Sequence, residues 1–337
     1  VWVLVVPRTA QLMAHPLRYY KEHDMTGNGV SDDERPLSFV YNNWQGNQCD
    51  LYGMFGLNDN LEHRVVVDGQ ITYTIRDERF REATNFLAGW VSEGLIDKVS
   101  FEITQDNFLA NGKGEETYGA FYWWESETVV SNPENYIVCC PLVGPNGDQT
   151  VCVSNNQEIS IGEMVIFSKC ENFPVLLAYL DRYYAPLNSA QINYGPIGIV
   201  YEEELDANGK LVQKPIPEGM TADELRLQNA PMGILYLSDY AWEHVVNMEE
   251  RAQLRVDRLE QFVKPYVPDN VSPCPNLQFT LDEWNTLNDC ETSLNNYVRT
   301  ALIQWLLNGG VSDQEWEAFQ KDLTDKVQID RIQAVYQ

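Results

Sequence analysis

Between Asp24 and Glu34 the chain reads D-M-T-G-N-G-V-S-D-D-E, a spacing that few backbones can satisfy. Oxygen-bearing side chains stand at the first, third, fifth and ninth positions (Asp24, Thr26, Asn28 and Asp32), with Gly29 at the sixth. Alternate side chains turned into a tightly curled loop supply a hard cation such as calcium with the oxygens it requires. The glycine permits the sharp turn, and the main-chain carbonyl of the seventh residue, Val30, adds a ligand. The twelfth position, where an EF-hand loop carries a bidentate Glu, holds Arg35. Asp33 beside Asp32 is the expected replacement carboxylate, with Glu34 as a spare. Without a metal, the same segment is an acidic surface turn of the kind Asn-Gly forms. Nothing nearby points to activation of a water, so the cation is expected to be structural.

Charge narrows the partners. The 337 residues carry 50 Asp and Glu against 23 Lys and Arg, a formal net charge of −27. Such a chain is repelled by nucleic acid and by anionic membrane surfaces. With 18 Tyr, 12 Phe and 9 Trp it has ample material for a folded core. No apolar stretch reaches the roughly 18 residues a membrane span needs. The opening V-W-V-L-V-V is closed by Pro7 and lacks the basic start and cleavage site of a signal peptide, so Val1 is not expected to be the biological N-terminus. Seven cysteines show no C-x-x-C and no Cys/His metal spacing. Cys139 and Cys140 suit packing, and a Cys274–Cys290 bridge is conceivable without being fixed by spacing.

Helices and strands interleave, which defines an α/β chain. One helix ends at His23, just before the acidic loop. Another runs from Asp77 to Gly94, with Phe80, Ala83, Phe86, Leu87, Trp90 and Val91 at helical spacing. Asn172 with Pro174 opens a third, on which Val175, Leu176, Tyr179 and Tyr183 form an apolar stripe. From Thr280 to Gln337 the chain reads as helix broken at Gly309-Gly310, with capping boxes at Thr280/Glu283 and Ser312/Glu315. Hairpins are expected around Asp68-Gly69 and, over 197–213, around Asn208-Gly209. Single buried strands are expected at 163–168 and 136–141. Domain crossings are expected at 141–147 and, more weakly, at 215–219.

Catalytic motifs are missing. Four His stand outside any metal or triad pattern, and G-x-S-x-G, the P-loop and G-x-G-x-x-G after a strand are absent. An apparent carboxylate pair is expected by chance in so acidic a chain. Aromatics are more informative: Trp44 lies in the polar loop N-N-W-Q-G-N-Q, Tyr122, Trp123 and Trp124 precede Glu125, Tyr194 sits in N-Y-G, and Tyr201 closes G-I-V-Y. Aromatic faces beside amides and carboxylates are how saccharide sites are built. Alternation lets only one of Trp123 and Trp124 face a given side, and core packing is the default for the other.

Taken in order, several segments resemble the large extracellular solute-binding proteins of ABC importers, of the oligosaccharide-binding lipoprotein type (family 1). They are K-E-H-D-M-T-G-N-G-V-S-D-D-E-R-P-L-S (21–38), F-R-E-A-T-N-F-L-A-G-W-V-S-E-G-L-I-D (80–97), Y-G-A-F-Y-W-W (118–124), P-L-V-G-P-N-G-D (141–148), I-N-Y-G-P-I-G-I-V-Y-E (192–202), F-T-L-D-E-W (279–284) and the terminal helix. The acidic loop is similar to a calcium site of alginate-oligosaccharide-binding members, which implies ligands at Asp24, Asn28, Val30, Asp32 and Asp33, with Thr26 in place of the usual Asn. The resemblance implies a two-lobed, periplasmic-binding-protein-like (type II) α/β architecture with hinge-connected lobes. It also implies that part of one lobe, ahead of Val6-Pro7-Arg8-Thr9, is missing here along with its lipid anchor. The expected division is 1–140 in lobe II with the calcium loop at 24–34, 141–215 in part of lobe I and the hinge crossings, and 216–337 in the return to lobe II.

The expected function is non-catalytic capture of an oligosaccharide in an interlobe cleft and delivery to an ABC permease. The protein would be a monomer, extracellular or periplasmic, touching the membrane only through a lipid anchor absent from this chain. Expected ligand-binding residues are Trp44, Tyr122, Trp123, Trp124, Tyr194 and Tyr201, and the expected metal ligands are Asp24, Thr26, Asn28, Val30, Asp32 and Asp33. The alternatives are a glycoside hydrolase or lyase, and a calcium-stabilised lectin-like module.

Overall fold

A computed structural model describes residues 6–30, 33–114, 117–151, 164–231 and 236–337. The chain divides into two units, Val1–Ile161 with Arg258–Gln337, and Gly162–Asp257. The Pro141–Gly147 stretch therefore lies inside the first unit, and Pro215–Gly219 inside the second.

The first unit opens with α1 (Ala10–Glu22), capped by the Thr9 side chain accepting from the Leu12 amide. Strand β1 (Arg35–Ser38) follows the acidic loop. Hairpin strands β2 (Arg64–Val67) and β3 (Gln70–Tyr73) then pair antiparallel around Asp68-Gly69, whose φ angles are 50° and 78°. Two left-handed residues are what a tight hairpin with native twist requires, so this expectation holds. Helix α2 (Glu78–Glu93) starts on the Asp77 side chain and ends at Gly94, φ 76°. Its buried face holds Phe80, Ala83, Leu87, Trp90 and Val91, as the periodicity predicts. Helix α3 (Gln105–Lys113), strand β4 (Tyr118–Phe121) and the short α4 (Ser126–Val129) come next. β4 pairs parallel with β1, Leu37 opposite Ala120, which places the chain leaving β4 beside the chain leaving β1.

In the second unit lie α5 (Phe173–Asp181), α6 (Pro186–Tyr194), α7 (Ala222–Asn229) and α8 (Asp239–His244), then α9 (Glu250–Phe262), which runs back into the first unit. Strand β5 (Val271–Pro273) extends the β3–β2 hairpin into three strands. Three helices close the chain: α10 (Leu281–Leu307), α11 (Asp313–Asp325) and α12 (Ile329–Tyr336). Both expected capping boxes form, at Thr280/Glu283 and Ser312/Glu315. Leu287, Leu294, Val298, Leu302 and Leu306 of α10 share one core with α2, Trp316, Phe319, Leu323 and Val327. Each such side chain contributes about 1.5–3 kcal/mol through burial. A satellite core forms around Val40, Phe108, Tyr118, Val129 and Val130, and the second unit has its own around Ala190, Val200, Tyr201, Leu211, Leu225 and Val246.

Several strand expectations fail. Residues 136–141 form no strand, and Ile137 and Val138 are exposed; among the described residues β4 pairs with β1 alone. The turn at Asn208-Gly209 does form, with Asp206 Oδ1 accepting from the amides of Asn208 and Lys210, but 197–213 makes only isolated bridges. Of the expected strand at 163–168, Glu163 lies outside the described residues and 164–168 is irregular and exposed. α5 exists, yet no residue of its apolar stripe is buried. Cys274 and Cys290 are not bridged, and Cys152 lies outside the described residues.

Candidate functional site

The Trp44 loop is shaped by amides. Asn43 Oδ1 accepts from the Gln45 amide at 2.8 Å, Asn47 Nδ2 donates to the Asn43 carbonyl at 2.8 Å, and Asn43 Nδ2 donates to Gln105 Oε1 of α3 at 3.0 Å. Asn42 takes a left-handed φ of 58° and exchanges hydrogen bonds with the Gln48 side chain. This network holds Trp44 out to solvent, 74% exposed. Gly46 lies so close to the chain after β4 that a Cβ there would stand 2.2 Å from the Tyr122 carbonyl oxygen and 2.7 Å from the Trp123 Cα. Four of the expected ligand residues (Trp44, Tyr122, Trp123 and Trp124) are therefore carried on two loops in backbone contact.

Alternation sorts the three residues after β4. Tyr122 packs against the main core, and burial, aided by the Asp50 charge, pushes its hydroxyl pKa well up. The Trp123 ring stacks on Phe108 at 5.3 Å between centroids and joins the satellite core. Its Nε1–H is buried and has no acceptor among the described residues, and Gln45 Oε1 is buried with no donor. Half-exposed aromatic rings beside an unused donor and an unused acceptor are what a polyhydroxylated ligand needs. Glu125, 5% exposed, closes the turn before α4.

Tyr194 and Tyr201 belong to the second unit. Tyr194 ends α6 against Trp242, 6.0 Å between centroids, with the Arg226 guanidinium 5.1 Å from its ring centre. Arg226 Nε also donates to the Asn193 carbonyl at 2.7 Å. Tyr201 is 1% exposed in that unit's core, so its ring offers no open face and the expected ligand contact fails there. Sequence reasoning missed Trp242 and Arg226, which lie more than 30 positions from Tyr194 and carry no local motif.

In the acidic loop Asp24 is the organising side chain. Its Oδ1 accepts from the amides of Gly27 (2.6 Å) and Asn28 (3.2 Å), and its Oδ2 from that of Gly29 (2.8 Å). The Gly29 hydrogen bond is the main reason its carboxyl pKa lies below the ordinary range. Asn28 Nδ2 donates to Asp33 Oδ2 at 2.7 Å, and Thr26 Oγ1 donates to Asp24 Oδ1 at 3.2 Å. Arg35 opens β1 and pairs with Asp97 at 2.5 Å. Glu34, expected only as a spare, instead reaches across the loop to accept from the Met25 amide at 2.7 Å. Asp33 Oδ1 and Glu34 Oε2 are buried and have no donor among the described residues. Buried carboxylate oxygens without a donor are hydrogen-bonding capacity left unmet. Asp32 lies outside the described residues, and among those described no three His, Cys, Asp or Glu side chains already converge as a metal cluster.

The aromatic, amide-rich surface of the first unit and the acidic loop are the features to set beside known proteins. No protein-family model matches the chain. It is 30% identical over 325 residues to the fructooligosaccharide ABC transporter substrate-binding protein FusA of Streptococcus pneumoniae, covering 95% of this chain and 60% of FusA. The FusA structure in complex with kestose matches with a TM-score of 0.86 at 29% identity, over 99% of this chain and 68% of that one. A FusA EF-hand mutant in complex with fructo-nystose matches equally well, with a TM-score of 0.86. The alginate-binding protein AlgQ2, solved without calcium ion, shares the fold, with a TM-score of 0.64 at 18% identity over 99% of this chain and 68% of its own. The chain is thus similar to an ABC transporter substrate-binding protein, and spans about 60% of the length of the curated relative it matches. Among the described residues no helix is long and apolar enough to cross a membrane.

Proposed function

We propose that this chain captures a neutral oligosaccharide, of the fructooligosaccharide class, and presents it unaltered to an ABC permease outside the cell membrane. The observation that carries this reading is the aromatic surface of the first unit. Trp44 projects to solvent beside Tyr122–Trp124, and among the described residues the Trp123 indole N–H and the Gln45 amide oxygen have no partner. Rings take the C–H faces of sugars and the unpaired groups take hydroxyls. Calorimetry against kestose, longer fructans and an anionic glycan tests the reading. Neutral fructans should bind and be recovered unchanged, and Trp44→Ala should cost about 1–3 kcal/mol of binding without lowering the melting temperature. Release of shorter products would establish the hydrolase alternative instead.

The loop residues fit a resident calcium ion, held by Asp24, Asn28, the Val30 carbonyl, Asp32, Asp33 and Glu34, with Thr26 lining the third position. The ion would supply charge neutralisation and hold the loop closed. With free calcium at a hundredfold excess over Kd, binding stabilises the fold by about 2.7 kcal/mol. Chelation should therefore lower the melting temperature, and Asp24→Ala should reproduce the chelated value. A melting curve indifferent to both calcium and chelator would remove the ion from the account.

A further inference from the structure

Helix α9 carries the chain from the second unit back into the first, the division falling between Asp257 and Arg258. None of its 13 residues is buried, so apolar packing does little to fix it. Arg258, the first residue of the returning chain, places Nη1 2.8 Å from Glu127 Oε1, with the two side chains 28% and 19% exposed. Glu127 lies on α4, three residues beyond Trp124. α4 is itself held firmly: Lys113 Nζ donates to the carbonyls of Glu127 (2.8 Å) and Val130 (2.7 Å), and a Cβ on Gly112 would stand 2.2 Å from the Val129 carbonyl oxygen.

We propose that the Arg258–Glu127 ion pair is a positioning element for saccharide capture, tying the crossing helix to the turn that carries Trp123 and Trp124. Occupancy of the aromatic surface and the setting of α9 are then energetically linked. The inference rests on the proposed capture function. Its physical basis is that a segment joining two units must absorb any rearrangement between them, and a ligand shifts such an equilibrium only through interactions that differ between its states. A part-buried ion pair between that segment and the ligand-bearing turn is such an interaction. Although burial opposes it, the Glu127 carboxyl pKa is lowered by hydrogen bonds from its own amide and from Arg258, so both partners are charged at neutral pH.

The test is a double-mutant cycle on the full chain in saturating calcium, with kestose as the probe in calorimetry. Arg258→Met keeps the aliphatic stem and Glu127→Gln keeps the size. Each should weaken binding by about threefold, the size expected of a part-exposed pair, and the double variant should lose no more than either alone. Kestose is uncharged, so a purely structural role predicts no salt dependence. The parent's affinity should fall as salt rises, whereas that of Arg258→Met should stay flat. Equal affinities across the four proteins, or additive losses, would overturn the coupling while leaving capture intact. A parent that binds no neutral oligosaccharide would overturn both.

Discussion

Gly46→Ala should abolish most oligosaccharide binding, lowering affinity at least tenfold in calorimetry, and cost about 1–3 kcal/mol of stability as an overpacked position. The added methyl would stand 2.2 Å from the Tyr122 carbonyl oxygen and 2.7 Å from the Trp123 Cα, both backbone atoms that cannot swing aside. Relief requires the loop to lift away, which separates Trp44 from Tyr122–Trp124 and opens the amide network of Asn43, Gln45 and Asn47. Gly89→Ala is the matched control. It adds the same methyl on an exposed face of α2 with nothing within 4 Å, and should raise stability by about 0.5–1 kcal/mol through helix propensity while leaving affinity unchanged. If Gly46→Ala bound kestose as tightly as its parent, the two loops would not form one surface.

Asp59→Ala should be among the most destabilising single substitutions in the first unit, costing in urea unfolding about 1–3 kcal/mol for each buried polar group left without its partner. Asp59 is 0% exposed. Both its oxygens lie 3.0 Å from His63 Nδ1, and its Oδ1 accepts from Thr74 Oγ1 at 2.5 Å. His63 in turn lies edge-on to Phe80 in the core, with a left-handed φ of 53° that the surrounding bonds must enforce. Removing the carboxylate strands two buried polar groups beside the root of the β2–β3 hairpin. Asp59→Asn preserves volume and an acceptor and should lose distinctly less. A urea midpoint for Asp59→Ala within error of the parent's would show that the site relaxes and rehydrates at no cost.

Local sequence determined the elements whose causes are local. Asp68-Gly69 specified a hairpin because both residues tolerate positive φ, and the structure gives them 50° and 78°. Thr280/Glu283 and Ser312/Glu315 specified helix starts because each side chain reaches only its own first turn. The α2 stripe was legible because helical period and burial agree. The spacing of Asp24, Thr26, Asn28 and Gly29 reads as a cation loop, and the structure shows there a tight turn in which Asp24 accepts the amides of Gly27, Asn28 and Gly29.

Tertiary structure decided what depends on partners distant in the chain. Residues 136–141 have strand composition yet form no ladder, since a strand exists only when another pairs with it. Arg35 stands where a loop carboxylate was expected because it begins β1 and meets Asp97, 62 residues away, leaving Glu34 to close the loop. Tyr194 gained Arg226 and Trp242 through the packing of α6, α7 and α8, and Tyr201, expected to meet ligand, became core. Trp44 and Trp123 lie 79 positions apart, and only the absence of a side chain at Gly46 brings their loops together. The parallel pairing of β1 with β4, which no local pattern revealed, delivers both loops to the same edge.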